Sequence, residues 1–339
     1  MQPGYGLLTA QHHPLDTRPT AAIYAEAIEY GELAERAGFR TIWTSEHHFV
    51  DDGYTPSQLP ILAAIAARTQ RITIGTGVLL APMFDPLRLA EDAAVVDLIS
   101  NGRLTLGLGI GWREEEFEGF AMPGGKAARL EGTIRVLRQA WGDGLTTGDG
   151  SLFRYPEPGL NVTPKPVRME RTPIWIGAGA EPAVRRAGRV ADGYFASGAS
   201  PQAMTQRAAW VREEAENAGR DPGKIELGLH RMTFAWRGTD AWERIRDAAS
   251  YMVWKYEDMG RARASTERRL PPAGFDTDVV RHRMLVGSPE EVAEGVHAYA
   301  DSIGTDGHFV FRTHFPGLDP AVQREAFDTL VEEVVPLLR

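Results

Sequence analysis

Apolar residues recur along this chain in two alternating rhythms. Short apolar runs at 5–9, 39–45, 71–82, 103–111, 173–179, 193–198, 224–236 and 308–313 predict strands. The run 71–82, RITIGTGVLLAP, is apolar without clean alternation, as expected of a parallel strand covered on both faces. Between the runs, apolar side chains return at helical spacing, as in Ile23, Ala27, Ile28, Leu33, Ala34 and Ala37. Helices are predicted at 20–37, 57–68, 86–100, 126–141, 181–190, 201–218, 288–304 and 320–337. Their ends carry stop and start chemistry. Gly38 closes the first, Pro86 opens the third, and Ser288 with the acidic residues after it caps the seventh.

Eight strand–helix pairs in succession predict an α/β fold, a (β/α)8 TIM barrel. The alternative is a doubly wound open sheet. The strand count and the lack of a first-turn GxGxxG argue against it. Stretches 112–125, 142–170 and 240–287 are left over as insertions, after strands four and seven. The middle one is rich in Gly and Pro and reads as an irregular excursion or small hairpin. Residues 258–283, rich in Arg and Pro, read as a lid or a surface loop. No linker divides the chain, so a single domain over 1–339 is expected.

Composition narrows the function. With 43% hydrophobic and 24% charged residues, the chain is an ordinary soluble globular protein. A net charge of -9 argues against a nucleic-acid footprint. There is no cysteine, which excludes disulfides, thiolate metal sites and a cysteine nucleophile. Neither a charged leader segment nor a run of about 20 apolar residues is visible, so a cytoplasmic protein is expected.

In a barrel of this kind the site lies at the carboxyl ends of the strands. His12 and His13 follow strand one, Glu46, His47 and His48 follow strand two, and His314 follows strand eight. These strands are neighbours once the barrel closes, so the histidines are expected on one rim. Three readings are open. They cap loops; they hold a metal ion that activates water, as in a metal-dependent hydrolase; or they move protons beside an organic cofactor. Adjacent His pairs are poorly spaced for a metal. The rim is also rich in glycine: Gly75-Thr76-Gly77, Gly107 to Gly111, and Gly177-Ala178-Gly179. Glycine at strand ends permits close backbone approach to a flat ligand, or accommodates barrel curvature. The turn Gly179-Ala180 precedes a helix start, whose free N–H groups suit a phosphate. Arg185 and Arg186 follow and read as a solvated face. Trp112, Phe117, Phe120 and Met122 in the first insertion are candidates for an apolar pocket or for packing.

The blocks TIWTSEHHF, RTQRITIGTGVLLAP, DPLRLAEDAAVVDLISNGRLTLGLGIGW and PIWIGAGAEPAVRRAGRVADGYFASG, in this order, resemble the bacterial luciferase-like flavin-dependent oxidoreductases. VGSPEEV and EEVVPLLR fit as well. The resemblance implies a TIM barrel that binds reduced flavin mononucleotide (FMN) or the deazaflavin coenzyme F420. It makes His47 the active-site histidine, with Glu46 beside it. It places a non-prolyl cis peptide at Gly77-Val78, under the cofactor ring, with Gly109 on the next strand. It assigns Arg129 and the turn Gly177, Ala178, Gly179, Ala180 to the cofactor phosphate. Trp112, Phe117, His13 and His314 are then candidates for the substrate side. Gly109 and Ile110 stand where the light-emitting members have a reactive cysteine and an arginine, which sets this chain apart from them. The expected activity is a two-component monooxygenase acting with O2 on a small organic substrate. A separate reductase would supply reduced FMN, because no nicotinamide fingerprint is visible. The alternative is an F420-dependent hydride-transfer enzyme. A homodimer is expected from the family.

Overall fold

The computed structural model describes residues 1–122, 124–261 and 265–338. The strands are β1 (Gln2–Leu8), β2 (Thr41–Thr44), β3 (Thr73–Thr76), β4 (Leu79–Leu80), β5 (Leu104–Gly109), β6 (Ile174–Gly177), β7 (Gly193–Ser197), β8 (Glu226–Ala235), β9 (Met284–Gly287) and β10 (His308–Arg312). Eight of them form a closed parallel barrel in the order β1-β2-β3-β5-β6-β7-β8-β10, with β10 paired to both β8 and β1. The fold is a TIM barrel. β4 extends the third barrel strand and pairs with β5, and β9 pairs with β8 outside the ring.

The helices form because each carries an apolar stripe and a defined end. Helix Thr20–Ala37 buries Ile23, Ala27, Leu33 and Ala34 and stops at Gly38, whose φ of 84° few other residues adopt. Helix Pro86–Ser100 is capped by the Asp85 carboxylate, which accepts from the N–H groups of Leu87 and Arg88. Helix Pro289–His297 begins with a reciprocal Ser288–Glu291 capping box. Their buried faces form the main core between barrel and helices, where Tyr5, Ile42, Ile74, Leu104 and Phe309 are essentially inaccessible.

A second apolar cluster fills the barrel itself. Leu7, Trp43, Trp175, Phe195 and Val310 are buried together, with Val78 packed against them. The Trp43 ring centroid lies 5.3 Å from that of Trp175 and 4.8 Å from that of Phe195. Two indoles fit inside only because glycine faces them. A Cβ on Gly75 would lie 2.5 Å from the Trp43 ring, and one on Gly193 2.5 Å from that of Trp175. On Gly228 it would lie 2.8 Å from Trp175, and on Gly107 it would run into the Thr76 carbonyl. Gly75, Gly193 and Gly228 therefore make room for indole side chains, and Gly107 for the backbone of the neighbouring strand.

Several element expectations need correction. The predicted strand 71–82 is interrupted by a cis peptide at Gly77-Val78, then resumes as β4 and a 3-10 turn at Ala81–Met83. The predicted helix 288–304 breaks into Pro289–His297 and Ala300–Ile303, and 320–337 passes through a π-helical stretch at Leu330–Val334. The Gly- and Pro-rich insertion carries antiparallel bridges Thr146↔Leu160 and Gly148↔Arg154, a small hairpin. The largest difference lies in 240–287. A 21-residue helix, Ala241–Arg261, packs Ile245, Ala249 and Met252 against Phe234, Met284 and Phe315. The segment read as a lid or loop thus begins in this helix and ends in helix Thr277–His282. Residues 262–264 of that segment, and residue 339, lie outside the described residues.

If the glycines answer to the indoles, Gly75→Ala should cost about 1–3 kcal/mol through overpacking. Gly144→Ala, where a Cβ meets nothing within 4 Å, should be close to neutral. Urea unfolding of both variants decides it, and equal midpoints would remove the steric account.

Candidate active site

The turn after β2 crowds its titratable groups because each one ties down a different loop. The Glu46 carboxylate accepts from the Leu80 N–H (2.7 Å) and from Gln58 Nε2 (3.1 Å), and Gln58 in turn accepts from the Thr44 hydroxyl (3.0 Å). Glu46 thereby holds the backbone just beyond the cis peptide. Glu46, expected beside His47, spends its carboxylate on these groups. The carboxylate on His47 is Glu116, whose Oε1 lies 2.8 Å from His47 Nδ1 and accepts from the His48 N–H at 3.0 Å. Glu116 comes from the short helix Glu114–Gly119 in the insertion after β5 and is fully buried. Arg113 fastens that insertion in place: its guanidinium bonds the carbonyls of His48, Phe49 and Met259 and the Glu115 carboxylate.

The two aspartates anchor the other side. Asp52 accepts from Gln11 Nε2 (2.8 Å), the Tyr251 hydroxyl (2.9 Å) and the Tyr54 N–H (3.1 Å). Burial raises its pKa above the usual range despite these bonds. Asp51 pairs with Lys255, which also pairs with Asp258 at 3.1 Å, and Lys255 is 1% exposed. Helix Ala241–Arg261 is thus pinned over the turn by buried charge. It delivers Tyr256, whose hydroxyl lies 2.9 Å from that of Tyr54.

These elements enclose a cavity of about 370 Å³ at the carboxyl ends of the strands. Of the predicted residues, Glu46, His47, Gly77, Val78, Gly109, Trp112 and Gly177 to Ala180 line it. Val78 projects between Gly109 and Gly177; a Cβ on Gly177 would come within 2.5 Å of it, and one on Gly109 would strike it too. His47 is boxed edge-on by Tyr54, Trp112 and Tyr256 at 4.9–5.8 Å. With Nδ1 committed to Glu116, its Nε2 bonds no protein group among the described residues and is left to the cavity. At the other end, helix Glu181–Val190 presents a first turn with no side-chain cap, and Arg186 lines the wall. Arg186 is itself held by Glu131 at 2.7 Å.

The remaining predicted residues fall elsewhere. Arg129 donates to the Pro82 carbonyl (3.2 Å) and does not line the cavity; Arg186, read from sequence as solvated, takes the place expected of it. Phe117 is buried beneath Lys126, outside the cavity. His13 packs on Tyr251 at 4.3 Å, and His314 lies 3.4 Å from Glu26 on the helix side of the barrel wall. His12 spends both ring nitrogens on Thr20 and Asp16. The expected convergence of all rim histidines therefore fails. Both His13 and His314 lie beyond the ends of their strands, where packing and not strand alternation sets their direction.

His230, on β8, was missed by the sequence reading, because a lone histidine within a strand carries no pattern. It lines this cavity and an adjoining one of about 260 Å³, which also exposes Ser197, Met232, Met252, Tyr256 and Arg312. Burial, reinforced by Arg312 and Arg231, pushes its imidazole down to about 3, so it is neutral at physiological pH. Among the described residues, no group of three or more His, Cys, Asp or Glu side chains is placed to hold a metal ion. No described helix is long and apolar enough to cross a membrane.

Fold and cavity together define an α/β-barrel enzyme with its site at the strand carboxyl ends. Residues 2–306 match the family described as luciferase-like monooxygenase, and the chain belongs to that family. It is 32% identical over 178 residues to the oxygenase component of the flavin-dependent trigonelline monooxygenase of Acinetobacter baylyi, covering 51% of this chain and 48% of that one. The match thus spans about half of that relative's length. It is 29% identical over 330 residues to the F420-dependent glucose-6-phosphate dehydrogenase of Kineococcus radiotolerans, covering 92% of each. The fold is shared with the monooxygenase RslO1 of Streptomyces bottropensis (TM-score 0.83, 23% identity, 99% of each chain). It is also shared with the oxygenating constituent of 3,6-diketocamphane monooxygenase of Pseudomonas putida, solved with FMN (TM-score 0.78, 20% identity, 98% of each chain). The protein is a luciferase-like oxidoreductase that works with flavin or F420.

Removing one partner of the buried Lys255 cluster should be costly. Lys255→Met strands Asp51, while Asp258 keeps Arg269 at 2.8 Å, and about 3–5 kcal/mol should be lost in urea unfolding at neutral pH. A loss below about 1 kcal/mol would mean that the helix is not pinned by charge.

His230 gives a pH signature. Its pKa is near 6.5 when unfolded and about 3 when folded, so the unfolded chain binds the extra proton between those values. Stability present in full above pH 6.5 should fall as pH drops, by about 1.4 kcal/mol per unit. Between pH 7 and 5 the wild type should lose about 2 kcal/mol more than His230→Gln. Parallel losses would show that His230 is solvated in the folded state.

Proposed function

We propose that this protein is the oxygenase component of a two-component monooxygenase, using reduced FMN and O2 on a small organic substrate. The observation that carries the reading is the polarity of the larger cavity. One end is apolar around Val78 and the cis Gly77-Val78 peptide; the other offers an uncapped helix N-terminus and Arg186. That arrangement suits a flat ring system ending in one phosphate. The residues present fit the group: Val78, Gly109 and Gly177 would support the ring, and Gly179, Ala180 and Arg186 would hold the phosphate.

Reduced flavin, when bound, supplies the electrons with which O2 is activated. The chain's own task is to position, shield and move protons. His47, oriented through Nδ1 by Glu116, gives or takes a proton at Nε2. Trp112 and Tyr256 wall the cavity and limit water there. Reduced flavin would come from a separate reductase. A second reading, hydride transfer with F420, is favoured by the near full-length similarity to the glucose-6-phosphate dehydrogenase.

Anaerobic titration with reduced FMN and with reduced F420 separates the two. FMN should bind and F420 should not; the reverse outcome would replace the monooxygenase with a hydride-transfer enzyme. Arg186→Ala should weaken FMN by about tenfold or more and leave riboflavin unaffected, since only FMN carries the phosphate. His47→Ala should retain FMN binding and lose about 10²–10⁴ in turnover. Normal turnover in that variant would exclude the proton role.

A further inference from the structure

Arg312 lies in β10 beside the site, and no carboxylate among the described residues neutralises it. It is 4% exposed, and its Nε and Nη2 have no hydrogen-bond partner. Among the described residues no carboxylate pairs with it. The Tyr256 ring lies 5.5 Å from its guanidinium carbon, and the hydroxyls of Tyr256 and Tyr54, 2.9 Å apart, are its hydrogen-bonding neighbours. Guanidinium does not give up its proton in a protein, and an unpaired buried charge is expensive. Among the described residues, then, no anion compensates it.

The smaller cavity shows where that anion belongs. Arg312 lines it and does not line the larger one, so the charge is not there for the cofactor phosphate. Parallel register sets Val310 against His230 and Arg312 against Met232, which places His230 and Arg312 at successive inward positions of neighbouring strands. His230 Nδ1 is also buried and without a partner. Neutral His230 adds a hydrogen-bonding group without a second charge. The rest of the lining includes Met232, Met252 and Val253, an apolar and adaptable surface. Arg283 at the cavity edge is 54% exposed and lies 3.9 Å from Glu257, which offsets it.

We propose that the smaller cavity is the substrate subsite and that it takes a small organic carboxylate, anchored by Arg312 and His230, with its apolar body on Met232, Met252 and Val253. One uncompensated positive charge matches one negative charge. The planar fork of N–H groups matches the two oxygens of a carboxylate. The two cavities share Ser197, His230 and Tyr256, so a carboxylate held there points its other end toward His47 and the larger cavity. This assignment of substrate class rests on the cofactor reading above only for which cavity is which.

The test is calorimetric binding to the full chain without flavin. The probes are hexanoate, benzoate and cinnamate against their amides, with inorganic phosphate as a further arm. At least one carboxylate should bind about tenfold or more tightly than its amide, as expected for a charge-assisted hydrogen bond. Arg312→Met should abolish that preference and Arg312→Lys should restore part of it. A cooperative melting transition in Arg312→Met checks that a lost preference is not a lost fold. Three results would overturn the proposal: no carboxylate favoured over its amide, a preference that survives Arg312→Met, or phosphate binding more tightly than every carboxylate. Flavin titration, in which Arg312 takes no part, tests the cofactor reading separately.

Discussion

The site depends on what fills the barrel beneath it. Trp43 and Trp175 occupy the interior, and the strands can close around them only where Gly75, Gly193 and Gly228 leave room. Those indoles, with Leu7 and Phe195, form a rigid apolar floor. Val78 rises from that floor between Gly109 and Gly177. Interiors packed this tightly transmit any change in side-chain volume to their surroundings. The larger cavity is therefore shaped by the barrel core as much as by the loops above it.

Above the floor, the walls are built by buried polar chemistry that crosses between loops. The turn after β2 is the hub: Glu46 reaches toward β4, His47 and His48 reach Glu116, and Asp51 and Asp52 reach helix Ala241–Arg261. Each of these groups would be costly if left unpaired, so their partners arrive together or not at all. Both insertions are thereby bound to one turn. His47 inherits its orientation from that scaffold through the Glu116 bond at Nδ1.

The two adjoining cavities divide the electrostatics. The larger offers helix N–H groups and Arg186 at one end and apolar surface at the other. The smaller holds a guanidinium with no counter-charge among the described residues and an imidazole kept neutral by burial and by that guanidinium. His230 and Tyr256 stand at the junction.

Periodicity and punctuation alone determined the barrel. Eight alternations, the Gly38 stop, the Pro86 start and the Ser288 cap are local signals, and local signals survive without knowledge of neighbours. His47 and the turn at Gly177 to Ala180 were legible because barrel order places strand ends on one rim. The partner of His47 was not. Glu46 is adjacent in sequence, yet its carboxylate is spent on Leu80 and Gln58, and the bond to Nδ1 comes from Glu116, 69 residues away. Arg186 lines the cavity and Arg129 does not for the same reason: which face of a helix meets the cavity is set by packing. Helix Ala241–Arg261 had an apolar stripe that sequence reading passed over, and its role as a wall exists only through Lys255, Tyr251 and Tyr256 in three dimensions. Sequence determined the elements and their order, because those follow from short-range sterics and hydrogen bonding. Tertiary structure decided which charges meet, because pairing in a low-dielectric interior depends on distances that no linear spacing records.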